Sequence, residues 1–248
     1  MNIKQILKKH EHIALQVSGG RDSLATFALL RELGLLNKVT VYWVNTGDAT
    51  PETIEIMAMV RDQSPSFVEI DGKQPEIIAR FGIPTDLLPR SCTPIGLATG
   101  QSDILMQDSY SCCARVIMEP MHRRALEDGV TCIIRGQRQS DDHRAPFQSG
   151  FVENGIQYVF PIEDWTDEEV DYYVKENGFP THPCYEFMKN TPDCLTCSGW
   201  WNENRAAYLQ AHHPQAHQIY QERLDLIRSK SDIQIFAFNS ELRGDSDE

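Results

Sequence analysis

The chain has 248 residues, of which 41% are hydrophobic and 24% charged, and its formal net charge is −13 at pH 7. This composition excludes a wholly disordered or fibrous chain, and no apolar run approaches the roughly 20 residues that span a membrane. The acidic balance argues against binding nucleic acid through a general positive field, although a local basic groove is compatible with it. We expect a cytoplasmic protein without membrane contact.

Strand and helix patterns alternate along the first part of the chain. Apolar runs of four to six residues indicate buried strands, and apolar residues at helical spacing follow them. The predicted elements are a strand at 13–17, a helix at 24–33, a strand at 39–44, a helix at 51–61 and a strand at 67–70. This alternation predicts an α/β fold with a mostly parallel sheet flanked by helices.

The rest of the chain is less regular. Residues 72–111 carry several prolines and glycines with little periodicity, which predicts an irregular insertion over the site. A helix at 112–126 and strands at 131–134 and 156–160 follow, and Thr166 with Glu169 forms a capping box that opens a further helix. We predict a main α/β unit at 1–200 and a helical C-terminal extension with an acidic tail at 201–248.

A glycine turn joins the first predicted strand to the first helix, with the sequence Ser18-Gly19-Gly20-Arg21-Asp22-Ser23. Adjacent glycines let the backbone turn sharply and expose N–H groups, and the helix start directs its positive dipole end at the same anion. The serine hydroxyls can add hydrogen bonds and Arg21 a charge, while Asp22 could cap the helix or approach a nucleotide-bound Mg²⁺. A plain strand-to-helix turn is the alternative, and the Gly-Lys-Ser/Thr end of a Walker loop is missing.

This hexapeptide resembles the Ser-Gly-Gly-x-Asp-Ser loop of the N-type ATP pyrophosphatases, which cleave ATP between its α and β phosphates to adenylate a substrate. In the same adenine nucleotide alpha hydrolase superfamily, the phosphoadenosine phosphosulfate (PAPS) reductases share a Rossmann-like fold and are similar to this chain over residues 10–200. The segments that resemble them are Asn45-Thr46-Gly47, residues 134–140 with Arg144, and residues 161–166.

The resemblance implies a set of site residues. It implies that Thr46, Gly47 and Arg135 bind the nucleotide together with the loop at 18–23. It also implies catalytic roles for Asp22, Arg138 and Arg144, because a guanidinium fork suits phosphate and sulfate oxygens. Without the resemblance, these arginines would be interpreted as solvated surface residues.

Four of the seven cysteines form two pairs, Cys112-Cys113 and Cys194-x-x-Cys197. Structural disulfides are rare in the cytosol, so such pairs indicate metal, cluster or redox chemistry. Adjacent cysteines strain a single tetrahedral zinc, whereas a four-iron cube offers each sulfur its own iron. We therefore prefer a [4Fe–4S] cluster, then zinc, then free or redox thiols, and the pattern also resembles that of the iron–sulfur adenosine phosphosulfate (APS) reductases.

Two departures from the reductases bear on function. The reductases use a tail cysteine as nucleophile, and no cysteine follows Cys197 here; they also tend to replace the residues equivalent to Gly20 and Asp22. The leading hypothesis is therefore an iron–sulfur enzyme that binds ATP and Mg²⁺ and adenylates an acceptor, in sulfur transfer or in nucleic-acid or metabolite modification.

Two alternatives remain. The first is a sulfonucleotide reductase in which Cys184, close to His182, or a donor thiol replaces the tail cysteine. The second is a nucleotide-binding subunit without turnover. The expected partners are an adenine nucleotide, a thiol or sulfur-donor protein and, for some acceptors, a nucleic acid, within a homo-oligomer or a larger assembly.

Overall fold

The computed structural model of the chain describes residues 3–142 and 144–244. The strands are β1 Ile13–Gln16, β2 Thr40–Asn45, β3 Phe67–Asp71, β4 Ile83–Thr85, β5 Met106–Asp108, β6 Cys132–Arg135, β7 Val152–Glu153 and β8 Ile156–Val159. The helices are α1 Ile3–Leu7, α2 Arg21–Glu32, α3 Pro51–Asp62, α4 Gln74–Phe81, α5 Pro94–Ala98, α6 Ser109–Cys113, α7 Glu119–Glu127, α8 Asp167–Glu176, α9 Arg205–His212 and α10 Pro214–Arg243. A π-helical segment, Ala114–Met118, joins α6 to α7.

Six strands form the main sheet in the order β3-β2-β1-β6-β8-β7. All neighbouring pairs in it are parallel except β7 with β8. Helices flank the sheet, so the predicted α/β class is confirmed. Because β2 and β6 lie on opposite sides of β1, the strand order reverses at β1, which is where open α/β sheets bind ligands.

The main core lies between the sheet and the helices α2, α3 and α8. Leu15 of β1 and Ile134 of β6 are fully buried, as are Phe27 of α2 and Met57 of α3. The capping box predicted for α8 is present. It fixes the start of a helix whose first turn faces the glycine loop, a contact that matters at the site.

The segment at 72–111 differs from its prediction. It contains α4 and α5 and a small parallel sheet of β4 and β5. Strands of three residues are too short to show an alternating pattern, and Pro84 within β4 further obscures it. Residues 72–111 therefore contain regular secondary structure and are not an irregular insertion.

The C-terminal helices pack on the body of the chain. Tyr208 and Leu209 of α9 are fully buried in one cluster with Cys184 and Met188. The boundary predicted at residue 200 stays a prediction, and residues 245–248 of the predicted acidic tail lie outside the described residues. Within the described ranges, no helix combines the length and the apolar character that crossing a membrane requires.

Candidate functional site

The glycine loop is folded as a closed turn at the start of α2. Gly19 has a positive φ of 86°, which favours glycine, and Gly20 is the N-cap residue of α2 with extended backbone. The Ser23 hydroxyl donates to the Gly20 carbonyl (2.8 Å) and accepts from the Ser18 N–H (3.2 Å). The two predicted serines thus stabilise the turn itself, and the loop presents a helix N-terminus to the neighbouring space.

A cleft of about 500 Å³ opens beside this loop, at the carboxyl ends of β1, β2 and β6. It coincides with the reversal of strand order in the sheet. The loop contributes Ser18, Gly20, Asp22 and Ser23 to its lining. Gly136 completes the contact, because a Cβ atom there would lie 2.3 Å from the Asp22 carbonyl oxygen.

Another part of the cleft wall is apolar. Ile117 and Met118 of the π-helical segment and Met121 of α7 line it together with Trp43 and Val44 of β2. A π-helical turn shifts the direction of the side chains that follow it and is frequent at functional sites. One end of the cleft therefore suits the flat ring of a base, while the loop end suits an anion.

Two of the predicted arginines line this cleft. Burial lowers the pKa of Arg135, although the nearby Tyr158 and Asp141 act in the other direction. Arg144 is exposed, and its Nη1 donates to the Gln139 carbonyl (2.8 Å). No carboxylate of the described residues lies within ion-pair distance of either guanidinium. Both cations are therefore available to an anionic ligand.

Arg21 and Arg138 face carboxylates instead. Arg21 pairs with Asp167 (2.9 Å) and Asp171 (3.1 Å), and its side chain is not part of the cleft lining. Arg138 is 3% exposed and lies 2.6 Å from Asp22 and 2.7 Å from Asp167. The structure thus does not bring the Arg21 charge to the cleft, contrary to the expectation that it binds a phosphate there.

Asp22 combines features of both sets of arginines, because it lines the cleft and also forms an ion pair. Its carboxylate lines the cleft but pairs with Arg138, and burial raises the pKa of Asp22 although Arg138 lowers it. A carboxylate held in this way is not free to approach a Mg²⁺ ion unless the pair opens. The predicted catalytic roles of Asp22, Arg138 and Arg144 stay predictions.

The turn after β2 contacts the cysteine loop. The Thr46 hydroxyl donates to the Asp193 carbonyl (3.0 Å), and Gly47 has a positive φ of 78°. The Asp48 carboxylate accepts from both the N–H (2.9 Å) and the hydroxyl (2.8 Å) of Thr196. The turn therefore attaches the Cys194–Cys197 segment to the edge of the sheet, and the nucleotide contact of Thr46 and Gly47 stays a prediction.

The four paired cysteines share one electrostatic environment. Burial, together with the proximity of Cys197, raises the pKa of Cys112 and of Cys113 to about 12. Burial also raises the pKa of Cys194 and of Cys197. Thiols this buried do not ionise at neutral pH without a compensating cation.

Hydrogen-bond donors lie beside two of these sulfurs. Trp200 donates to Cys113 and the Gly199 N–H donates to Cys197, and each contact favours the thiolate. Over residues 3–142 and 144–244, no group of three or more His, Cys, Asp or Glu side chains has the arrangement of a preformed metal-ion site. The chemistry of the donor set nevertheless fits a cysteine-ligated cluster, because it offers four thiols, and N–H donors of the kind found beside Cys113 and Cys197 tune such clusters.

Cys184 and His182 are both buried. Cys184 is fully buried, and burial raises its pKa to about 12. Nδ1 of His182 accepts from the Cys184 N–H (3.2 Å), and burial lowers the pKa of His182 to about 4. Cys184 is therefore a core residue in this structure, and its role as a replacement for the missing tail nucleophile stays a prediction.

Two residues of the site were missed by sequence reasoning. The Tyr185 hydroxyl accepts from the Arg21 N–H (2.9 Å) and from Thr191 (2.7 Å), so it anchors the back of the glycine loop. Asp193 lines the cleft immediately before Cys194. Its position next to a predicted ligand was a usable signal, whereas nothing in the local sequence marks Tyr185.

The mostly parallel sheet with a cleft at its switch point is an open α/β architecture, in which this position is the usual ligand site. The family model of the phosphoadenosine phosphosulfate reductase domain matches residues 12–227. The chain belongs to this family.

Three relatives show the range of the similarity. A PAPS reductase of Vibrio cholerae is 37% identical over 70 residues, which is 28% of this chain and 28% of that protein. An APS reductase of Allochromatium vinosum is 20% identical over 216 residues, covering 82% of this chain and 78% of that protein. The crystal structure of a PAPS reductase from Candida auris in complex with phosphate aligns with a TM-score of 0.53 at 18% identity, over 82% of this chain and 87% of that one. This last likeness is one of fold.

Proposed function

We propose that the chain is a sulfonucleotide reductase, which binds an adenylyl sulfate in the cleft and releases sulfite with electrons from thiols. The relatives of this chain are APS and PAPS reductases by name, which favours this alternative over the ATP hypothesis. The observation that supports it most is the unpaired Arg135 in the cleft, beside the helix N-terminus of the glycine loop. Together they suit an anion of the size of a phosphosulfate.

The chemistry needs two thiols. A thiolate attacks the sulfur of the phosphosulfate, the sulfur–oxygen bond to the phosphate breaks, and the adenylate leaves with that bond's electrons. A second thiol then displaces sulfite, so that two thiols are oxidised to a disulfide as the sulfate sulfur is reduced. Arg135 and the loop N–H groups would stabilise the charge that develops on the leaving phosphate.

The attacking thiol must come from a donor molecule. Five of the seven cysteines are buried, and the two half-buried ones, Cys113 and Cys194, belong to the paired group. Burial raises the pKa of both, to about 12 for Cys113, so neither is poised as a thiolate on its own. We assign a separate thiol or dithiol donor to the reaction.

Cys112, Cys113, Cys194 and Cys197 would hold a [4Fe–4S] cluster, as the cysteine pattern predicts. When bound, such a cluster supplies a redox-active anionic centre next to the cleft. The chain's own residues would orient it: the turn at Thr46 and Asp48 fixes the Cys194–Cys197 segment, and Asp193 lies between that segment and the cleft.

ATP cleavage is the second candidate. The loop keeps Gly20 and Asp22, and the Asp22 carboxylate lines the cleft where a Mg²⁺–nucleotide would bind. Against it stands the ion pair of Asp22 with Arg138, which that function would have to open. The adenylated acceptor, a nucleic acid or a metabolite, would be part of the same proposal.

One assay distinguishes the two. Anaerobically prepared protein is incubated with APS or PAPS and dithiothreitol, and sulfite is measured; a parallel reaction with ATP and Mg²⁺ is followed by pyrophosphate release. We expect sulfite from a sulfonucleotide and no pyrophosphate from ATP, with Arg228→Met as a surface control that keeps full activity. Pyrophosphate without sulfite would replace the proposal by the second candidate, and tight binding without either product would favour a non-catalytic subunit.

A further inference from the structure

Arg205 is a buried cation with an incomplete set of partners. It is the first residue of α9, and its side chain is only 3% exposed. Its Nη2 lies 3.0 Å from the Glu203 carboxylate, whereas its Nε is buried without a hydrogen-bond partner. Burying a guanidinium is unfavourable unless charges and acceptors compensate it, so the burial of Arg205 needs an explanation.

The guanidinium is directed at the cysteine loop. Nη1 donates to the Cys194 carbonyl (2.9 Å) and to the Cys197 carbonyl (3.5 Å). Both thiols also interact electrostatically with Arg205. One side chain therefore spans both ends of the Cys-x-x-Cys segment.

Charge balance points the same way. Glu203 supplies one negative charge to Arg205, but that carboxylate is 21% exposed and is partly screened by solvent. Four thiolates around a cluster carry a net negative charge in a buried place, and they need a cation that solvent does not screen.

Other arginines near the cysteines have different roles. Arg223 donates to the carbonyl and hydroxyl of Thr196, and Arg115 donates to Gln107 (2.7 Å). Both are only half-buried. Arg205 thus combines the deepest burial with direct contacts to two of the four cysteine residues.

We propose that Arg205 is a positioning residue for the cysteine group, which fixes the Cys194–Cys197 backbone and provides the positive charge that retains a cluster on the four thiolates. This inference rests on the proposed function, because it takes the four cysteines as cluster ligands. Since the reduced cluster is the more negative form, a nearby fixed cation also raises its reduction potential.

The test compares Arg205→Met and Arg205→Lys with wild type in the full chain, after anaerobic reconstitution with iron and sulfide. The readouts are iron per chain under competition with a chelator and the midpoint potential of the bound cluster. Residues that support ligands from behind change metal affinity about 10- to 100-fold when replaced. We expect a loss of that size in Arg205→Met together with a lower potential, and a smaller loss in Arg205→Lys.

Two controls separate charge from folding. Arg228→Met removes an exposed arginine, paired with Asp225 on α10, and should leave iron retention and potential unchanged. The double variant Arg205→Met/Glu203→Gln leaves no unpaired carboxylate and should fold, as circular dichroism can verify, yet still lose iron. If Arg205→Met does not fold, iron retention and the midpoint potential are measured on the double variant and on Arg205→Lys.

The outcomes are distinct. Wild-type affinity and potential in a folded Arg205→Met or double variant would overturn the role of Arg205 and leave the proposed function intact. A wild-type protein that binds no iron would instead overturn the cluster itself, and the inference with it.

Discussion

The front and the back of the glycine loop use arginine in opposite ways. On the cleft side, Arg135 and Arg144 have no carboxylate of the described residues within ion-pair distance. Behind the loop, Arg21 and Arg138 are held by acidic partners, and the Tyr185 hydroxyl takes the Arg21 N–H. The sequence alone does not distinguish these four arginines. Their neighbours in the fold leave Arg135 and Arg144 available for a ligand and give Arg21 and Arg138 a structural role. Changes behind the loop should therefore affect stability, and changes in front should affect binding.

The largest effect is expected for Arg138→Met. Arg138 is 3% exposed, and its loss leaves the carboxylates of Asp22 and Asp167 without their closest cation. Breaking a buried ion pair from one side costs about 3 to 5 kcal/mol, and because both carboxylates are partly exposed we expect about 3 kcal/mol. Urea unfolding measures this. Arg138→Met/Asp22→Asn should lose less than the two single variants summed, and strict additivity would mean that the pair does not interact.

The second effect is a pH dependence from His182, which lies behind the loop. Thr50 donates its hydroxyl hydrogen to Thr53, so Nε2 of His182 donates to Thr50 while Nδ1 accepts from Cys184. This neutral form explains why burial lowers the pKa of His182 to about 4. The unfolded chain binds the proton near pH 6.5, so stability is complete above that pH and is lost as the pH falls toward 4.

That loss should amount to about 3 kcal/mol, since each unit of pKa difference is worth about 1.4 kcal/mol. His182→Asn, which cannot titrate, should be less stable than wild type at pH 7 but should lack this part of the acid loss. Exposed His122 provides the matched control, and His122→Asn should keep the wild-type profile. Parallel profiles for wild type and His182→Asn would show that other groups cause the acid sensitivity.

In front of the loop, Arg135→Met should weaken binding without lowering stability. A hydrogen bond between charged groups contributes about 1.5 to 3 kcal/mol, which corresponds to a loss in affinity of about 10- to 100-fold. Isothermal titration with APS measures it. The unfolding free energy of Arg135→Met should equal that of wild type or exceed it, because the substitution removes a cation whose burial is unfavourable, as its lowered pKa indicates. A decrease in stability as large as that of Arg138→Met would contradict the proposed difference between the two sides of the loop.

The smallest effect is expected for Arg144→Met. Arg144 is exposed and is attached through one bond to the Gln139 carbonyl. Water screens its charge, so we expect at most about a 3-fold loss of APS affinity at physiological salt, increasing as salt is lowered. Titrations at two ionic strengths test this, and a salt-independent loss as large as that of Arg135→Met would place Arg144 in direct contact with the ligand.

The features that could be predicted from the sequence are those that depend on residues close together along the chain. The glycine turn between an apolar run and a periodic helix has local signals, and the strand alternation that defines the fold class is visible in the same way. Arg21 illustrates the limit, because its partner Asp167 is 146 residues away along the chain. No spacing rule could distinguish its role from that of Arg135.

The cysteine loop illustrates a second limit. The two cysteine pairs were expected to converge, and their thiols do share one electrostatic environment. Thr46 is expected at the nucleotide, which stays a prediction, and the structure adds a contact that the sequence does not indicate, from its hydroxyl to the Asp193 carbonyl. Similarity assigns a motif to a region of the fold, but side-chain direction within a turn depends on the segment that packs against it.

The most direct test of the account is a crystal structure with bound APS, prepared without a reductant. We expect the phosphosulfate within hydrogen-bond distance of Arg135 and of the backbone N–H groups at residues 18–23, with the adenine against the apolar wall at Met118 and Trp43. A phosphosulfate bound to Arg21 or Arg138, with their acidic partners displaced, would contradict it.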